Sequence, residues 1–173
     1  MPREPLEGST LGLLMYPSLD LPMSAQIRRN DHDHVMIPVK EGHREPHGMG
    51  MAPASIAAAA VGDAPLAIAW LQSNFTSQLI KPPFNVRTET ASNNSGYFIT
   101  SSGGFIQNLV YGFSGLRIQE KDLVAAYAPV LPPEWKSMTL KAIAFRGQRY
   151  DITIDRNARG GVRLTRKALR ADP

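Results

Sequence analysis

The sequence predicts helices first and a small antiparallel β-sheet after them, and three stretches carry that prediction. "MAPASIAAAAVGDAPLAIAWLQSNF", residues 51–75, is alanine-rich and carries no charge except Asp63; alanine is the best helix former. "SGGFIQNLVYGFSGLRI", residues 102–118, is apolar at helical spacing, with Phe105, Leu109 and Phe113 one turn apart. Past Leu131-Pro132-Pro133 the period changes. "SMTLKAIAFRGQRYDITIDR" alternates apolar and polar residues on both sides of Arg146-Gly147, which predicts a β-hairpin. The boundary between the two halves falls near residues 117–133.

Taken in order, residues 1–50 read as irregular. "STLGLLMYP" is a short apolar run closed by Tyr16-Pro17, suited to a buried helical turn or a strand end. Ser24 can cap a short helix over residues 25–30, while residues 31–47 carry many charges at no clear period. Gly62-Asp63 splits the alanine-rich stretch into two helices, with Asp63 as N-cap of the second and Pro65 in its first turn. The next helix is expected over residues 104–112, capped by Ser101 or Ser102 and closed by Gly112 and Gly115. "GVRLTRKAL" offers a third strand beside the hairpin. The helical part reads as too small and too apolar to close its own core.

Composition narrows the classes. The chain has 173 residues, 14 prolines and 14 glycines, so long stretches are expected to be loop. With no cysteine, disulfides and thiolate metal sites are excluded. "MPREPLEGST" has no apolar core of a signal peptide, and no run reaches the length of a membrane span; compartment and oligomeric state stay open. The net charge of +4 gathers at the end, in Arg156, Arg159, Arg163, Arg166, Lys167 and Arg170. No aromatic residue is interleaved there for stacking, so a solvated, partly frayed basic tail is expected rather than a nucleic-acid site.

The chemistry-bearing stretch is "FNVRTETASNNSGYFITSSGGFIQ", residues 84–107. Glu89 sits between threonines in a polar loop, where Arg87 can hold it ionised and Thr88 and Thr90 can hydrogen-bond it. An ionised carboxylate is what a general base requires, although a lone loop glutamate is ordinarily a solvated surface charge. Thr100, Ser101 and Ser102 precede Gly103 and Gly104 at the expected helix start, where free backbone N–H groups favour an anion or a sugar hydroxyl. The plainer reading is a capped helix with glycines for close packing. The lysine and glycine spacing of a phosphate-binding P-loop are absent. His32 and His34 lie two apart among acids, without the spacing of a known metal motif, so neither metal nor cofactor is expected. Asn74-Phe75-Thr76 and Asn93-Asn94-Ser95 fit the glycosylation pattern, which carries no weight without a secretion signal.

The order of "LLMYPSLDLPMS", "IRRND", the helix pair with "VGD", "KPPFNVRTET" and "FITSSGGFIQNLVYGFSGLRI" resembles the C-terminal portion of glycoside hydrolase family 65. That family includes acid trehalases, related α-glucoside hydrolases and disaccharide phosphorylases. The resemblance covers roughly residues 8–150. It implies that residues 1–116 are the last helices of an (α/α)6 toroid and that 117–173 hold a linker and a small C-terminal antiparallel β-domain with a basic tail. It implies inverting, trehalase-type hydrolysis of an α-linked disaccharide or glucoside, with Glu89 as the hydrolase's general base. Arg87, Thr88, Ser101, Ser102, Gly103 and Gly104 would line the substrate side, near the place where phosphate sits in the phosphorylases. The general acid would lie upstream, and Glu7-Gly8 stands where the family has a sugar-contacting Lys-Gln pair. The expectation is therefore a C-terminal fragment carrying half an active site. A phosphorylase fragment is the alternative, and so is a non-catalytic carbohydrate-binding or basic module. No membrane partner is expected.

Overall fold

The computed structural model describes residues 24–40, 48–73, 80–89 and 97–170. The "STLGLLMYP" run, Glu7-Gly8, Thr90 and both glycosylation patterns lie outside the described residues.

Helix α1 spans Ala25–Lys40. Ser24 caps it as expected, its Oγ accepting the Ile27 N–H at 3.2 Å. The helix runs ten residues past the expected end, 40 against 30. Helix α2 (Gly48–Ala60) and helix α3 (Ala64–Ser73) form the expected pair. Gly62 takes a positive φ of 82°. The Asp63 N–H donates to Ala58 O at 2.9 Å and the Gly62 N–H to Ala59 O at 3.0 Å, a Schellman closure that satisfies the last carbonyls of α2. Asp63 then caps α3, its Oδ1 accepting the Leu66 N–H at 3.1 Å. Alanines on α2 let the two helices approach closely, and the Ser55 hydroxyl donates across to Ala67 O at 2.7 Å.

A short antiparallel pair follows, β1 (Ile80–Lys81) and β2 (Val86–Arg87). Helix α4 spans Ile99–Gln107 and continues into a π-helical turn at Asn108–Phe113. This corrects the expected start at residue 104. Phe98 is the N-cap residue and no side chain caps the helix. Ser101, Ser102, Gly103 and Gly104 therefore lie inside its first turns, and the backbone N–H groups of the two glycines point along the helix. Apolar Ile99 at the outset, rather than the glycines, marks where the chain turns helical.

The three helices share a core with the segment that follows them. Ala58, Ala59, Ala67, Leu71 and Phe113 are buried together with Val130, and Ile56 is fully buried. The many alanines allow short interhelical distances, so a small apolar set suffices. Gly112 lies against Ile56 and Asn108, where an added Cβ would fall 3.0 Å from Ile56 Cγ1 and 2.3 Å from Asn108 Oδ1.

Beyond Gly115 (φ 70°), strands β3 (Leu116–Ile118) and β4 (Leu123–Ala125) pair antiparallel. The main sheet is β5 (Ser137–Phe145), β6 (Gln148–Arg156) and β7 (Val162–Ala168), in that order and antiparallel throughout. Arg146 and Gly147, at φ 48° and 76°, make the two-residue turn that the sequence predicts. The register shifts between Leu140 and Ile143, where Ala142 at φ 55° forms a bulge. Ile152 packs with Leu116 and Leu123, flanked by Tyr111, Tyr150 and Leu164. Met138 on β5 packs against the helical core.

The basic end is not a frayed tail through residue 170. Arg163 and Arg166 lie on β7. Arg163 pairs with Asp155 at 2.6 Å, and Arg166 with Asp122 at 2.6 Å. The Arg156 guanidinium donates to Leu131 O at 2.9 Å and Pro132 O at 3.2 Å, fastening the linker to the sheet.

Candidate functional site

Glu89 stands in a bend two residues past β2, partly exposed. Among the described residues nothing donates to its carboxylate; the expected Arg87 partnership is replaced by another. Arg87 is 8% exposed, and burial pushes its guanidinium below the ordinary arginine range. Its Nη1 donates to Ser101 Oγ at 3.3 Å. The guanidinium also stands over the Phe105 ring, 5.8 Å from the centroid, at cation–π distance. The backbone adds a third link, the Phe98 N–H donating to Arg87 O at 2.8 Å. Thr88, next in the chain, is 1% exposed.

The structure thus brings Arg87, Thr88 and Ser101 together in the interior and places Glu89 at the margin of that cluster. Ser102, Gly103 and Gly104 keep some surface. An added Cβ at Gly103 would meet nothing within 4 Å, so close packing does not account for that glycine. Phe105 is the residue that sequence reasoning left out of the site. Its position four residues after Ser101, on one helix face, is the signal that links them.

Exposed apolar side chains occur along the same stretch of chain. Phe84 at the β1–β2 turn is 86% exposed, Tyr97 71% and Ile99 68%.

The other expected candidates do not converge here. His32 is buried and its Nδ1 lies 3.1 Å from Asp33 Oδ1. Among the described residues no group of three potential metal ligands forms, and no helix is long and apolar enough to cross a membrane. A cavity of about 410 Å³ opens between the start of α1, the end of α2 and the β3–β4 pair, lined by Arg28, Arg29, Val61, Arg117, Ala126 and Tyr127 among others. Arg117 stacks on the Tyr127 ring at 5.1 Å and donates to Leu116 O at 2.7 Å. Neither Glu89 nor the 101–104 stretch lines this cavity.

Known proteins carry similar sequences. The family model for the C-terminal domain of glycosyl hydrolase family 65 matches residues 119–165. A protein-glucosylgalactosylhydroxylysine glucosidase of Danio rerio is 31% identical over 156 residues, covering 88% of this chain and 22% of that protein. A kojibiose hydrolase of Flavobacterium johnsoniae is 28% identical over 148 residues, covering 86% of this chain and 21% of its own length. An alpha,alpha-trehalose phosphorylase of Geobacillus stearothermophilus is 37% identical over 60 residues, covering 35% of this chain and 8% of that protein. The chain therefore spans about a fifth of the length of the first two, 22% and 21%.

Proposed function

The chain carries a C-terminal part of glycosyl hydrolase family 65, and on that premise we propose that it serves an inverting α-glucoside hydrolase with Glu89 as general base. The observation that carries the reading is a partly exposed carboxylate emerging from a buried, hydrogen-bonded cluster. Loops held by a rigid scaffold are where carboxylates do chemistry. In this reading residues 1–116 belong to the helical toroid and 117–173 to the linker and β-domain.

The derived mechanism needs two carboxyl groups on opposite sides of the scissile bond. One protonates the leaving oxygen, and Glu89 takes a proton from the attacking water as it adds to the anomeric carbon. The acid would come from sequence outside these 173 residues, consistent with the roughly fourfold greater length of relatives. Ser102 and Gly103, which keep some surface, would border the approach. The natural substrate is an α-linked disaccharide or glucoside. Relatives named for kojibiose and for glucosylgalactosylhydroxylysine widen the choice beyond trehalose.

A phosphorylase is the second reading, favoured by the likeness to a trehalose phosphorylase. Assay of the full-length protein with and without inorganic phosphate separates the two, together with proton NMR of the first anomer released. Phosphate-independent release of a β-configured sugar is expected. Strict dependence on phosphate would sink the hydrolase reading.

A further inference from the structure

Arg87 is tied to α4 from both its backbone and its side chain. Its carbonyl accepts the N–H of Phe98, the residue that caps the helix, at 2.8 Å. Its guanidinium donates to Ser101 Oγ at 3.3 Å and lies 5.8 Å from the Phe105 ring centroid. Phe98, Ser101 and Phe105 are spaced by three and four residues, so they share one face of the helix. A single arginine therefore fixes the end of β2 along the first two turns of α4. Thr88 beyond it is buried, and the chain reaches the surface again at Glu89.

We infer that Arg87 is a positioning residue for the Glu89 carboxylate, holding the Arg87–Thr88 segment against α4 through Ser101 and Phe105, rather than a sugar-binding residue. This rests on the reading of Glu89 as the base. At 8% exposure, and with its planar group already stacked and hydrogen-bonded, Arg87 is turned into the protein and has little reach toward a ligand. A guanidinium suits this role because it can stack on a ring and donate in its own plane at once. Lysine can supply charge and a donor but not the planar stack. A catalytic base displaced by about 1 Å costs on the order of 100-fold in rate.

The test uses the full-length protein with Arg87→Ala, Arg87→Lys, Ser101→Ala and Glu89→Gln, comparing kcat with KM on one α-glucoside. Arg87→Ala is expected to lower kcat by about 10- to 100-fold with KM nearly unchanged. Arg87→Lys should fall between it and the parent. Hydrogen–deuterium exchange of the full-length protein should show the peptides over Thr88 and Glu89 loosened by Arg87→Ala, with the β5–β6 hairpin unaffected. A raised KM at unchanged kcat would reassign Arg87 to sugar binding, and an unchanged kcat and KM would remove it from the site. If Arg87→Ala does not fold, Ser101→Ala decides: kcat must still drop, and parental kcat overturns the inference. Glu89→Gln is read separately, since normal turnover there defeats the base assignment while leaving the Arg87 tether intact.

Discussion

At the scale of single residues, the carboxylate and the glycines carry the sharpest expectations. Glu89→Gln keeps shape and most hydrogen-bonding capacity but removes the proposed base, so on that proposal hydrolysis by the full-length protein should fall about 10²–10⁴-fold while substrate still binds. Stopped assays paired with binding calorimetry check both halves. The glycines separate by environment. Gly103 lies in a helix with open space where a Cβ would go, so Gly103→Ala should stabilise the chain by about 0.5–1 kcal/mol in denaturant titration. Gly115 is the opposite case. It holds φ 70° and a Cβ there would lie 2.6 Å from the Tyr127 carbonyl oxygen, so Gly115→Ala should cost about 2 kcal/mol or more. Equal effects at the two sites would mean that the joint after the π-helical turn is differently built.

At the scale of elements, the β-part depends on ties that reach across strands. Arg166 on β7 donates to Asp122 Oδ1 at 2.6 Å and to Leu123 O at 2.9 Å, and lies over Tyr150 at 5.1 Å. The Arg166 hydrogen bond, aided by the Leu123 N–H, holds the Asp122 carboxyl below its ordinary range. A depressed carboxylate contributes stability that is present above its unfolded pKa and is lost as pH falls through the folded one. Protection of the β7 amides against hydrogen exchange should therefore weaken on acidification below the usual carboxylate range. Arg166→Ala should remove most of that acid dependence. A profile identical in the variant would show that Asp122 does not anchor the strand. The buried amide of Asn108 is a different matter. Among the described residues neither its Nδ2 nor its Oδ1 finds a protein partner, and it sits where the helix widens to a π turn, a common place for local irregularity.

At the scale of the whole molecule, the 173-residue chain expressed alone should release no glucose from trehalose, kojibiose or any α-glucoside. Inverting hydrolysis requires an acid opposite the base, and that acid is not among the residues assigned here. The outward faces at Phe84, Tyr97, Ile99 and Ile106, between 60% and 86% exposed, should bind a hydrophobic dye. Both are checked on one purified sample, by glucose release and by fluorescence. Glu89-dependent turnover by this chain would overturn the proposed division of the site between this chain and further sequence.

The sequence alone determined the elements whose causes are local. The Gly62-Asp63 break, the Asp63 cap, the Arg146-Gly147 turn and the alternation of β5 and β6 all follow from backbone preferences acting within a few residues. The order of motifs determined the family in the same way, as a pattern along one strand of text. Tertiary structure decided what depends on distant partners. It moved the start of α4 from residue 104 to Ile99, and completed the helical core with Val130 and Met138 from beyond the helices. It also took Arg87 away from Glu89 and gave it to Ser101 and Phe105. A buried guanidinium takes the partners that packing brings within reach, and those lie 14 and 18 positions along the chain, beyond what local spacing can specify.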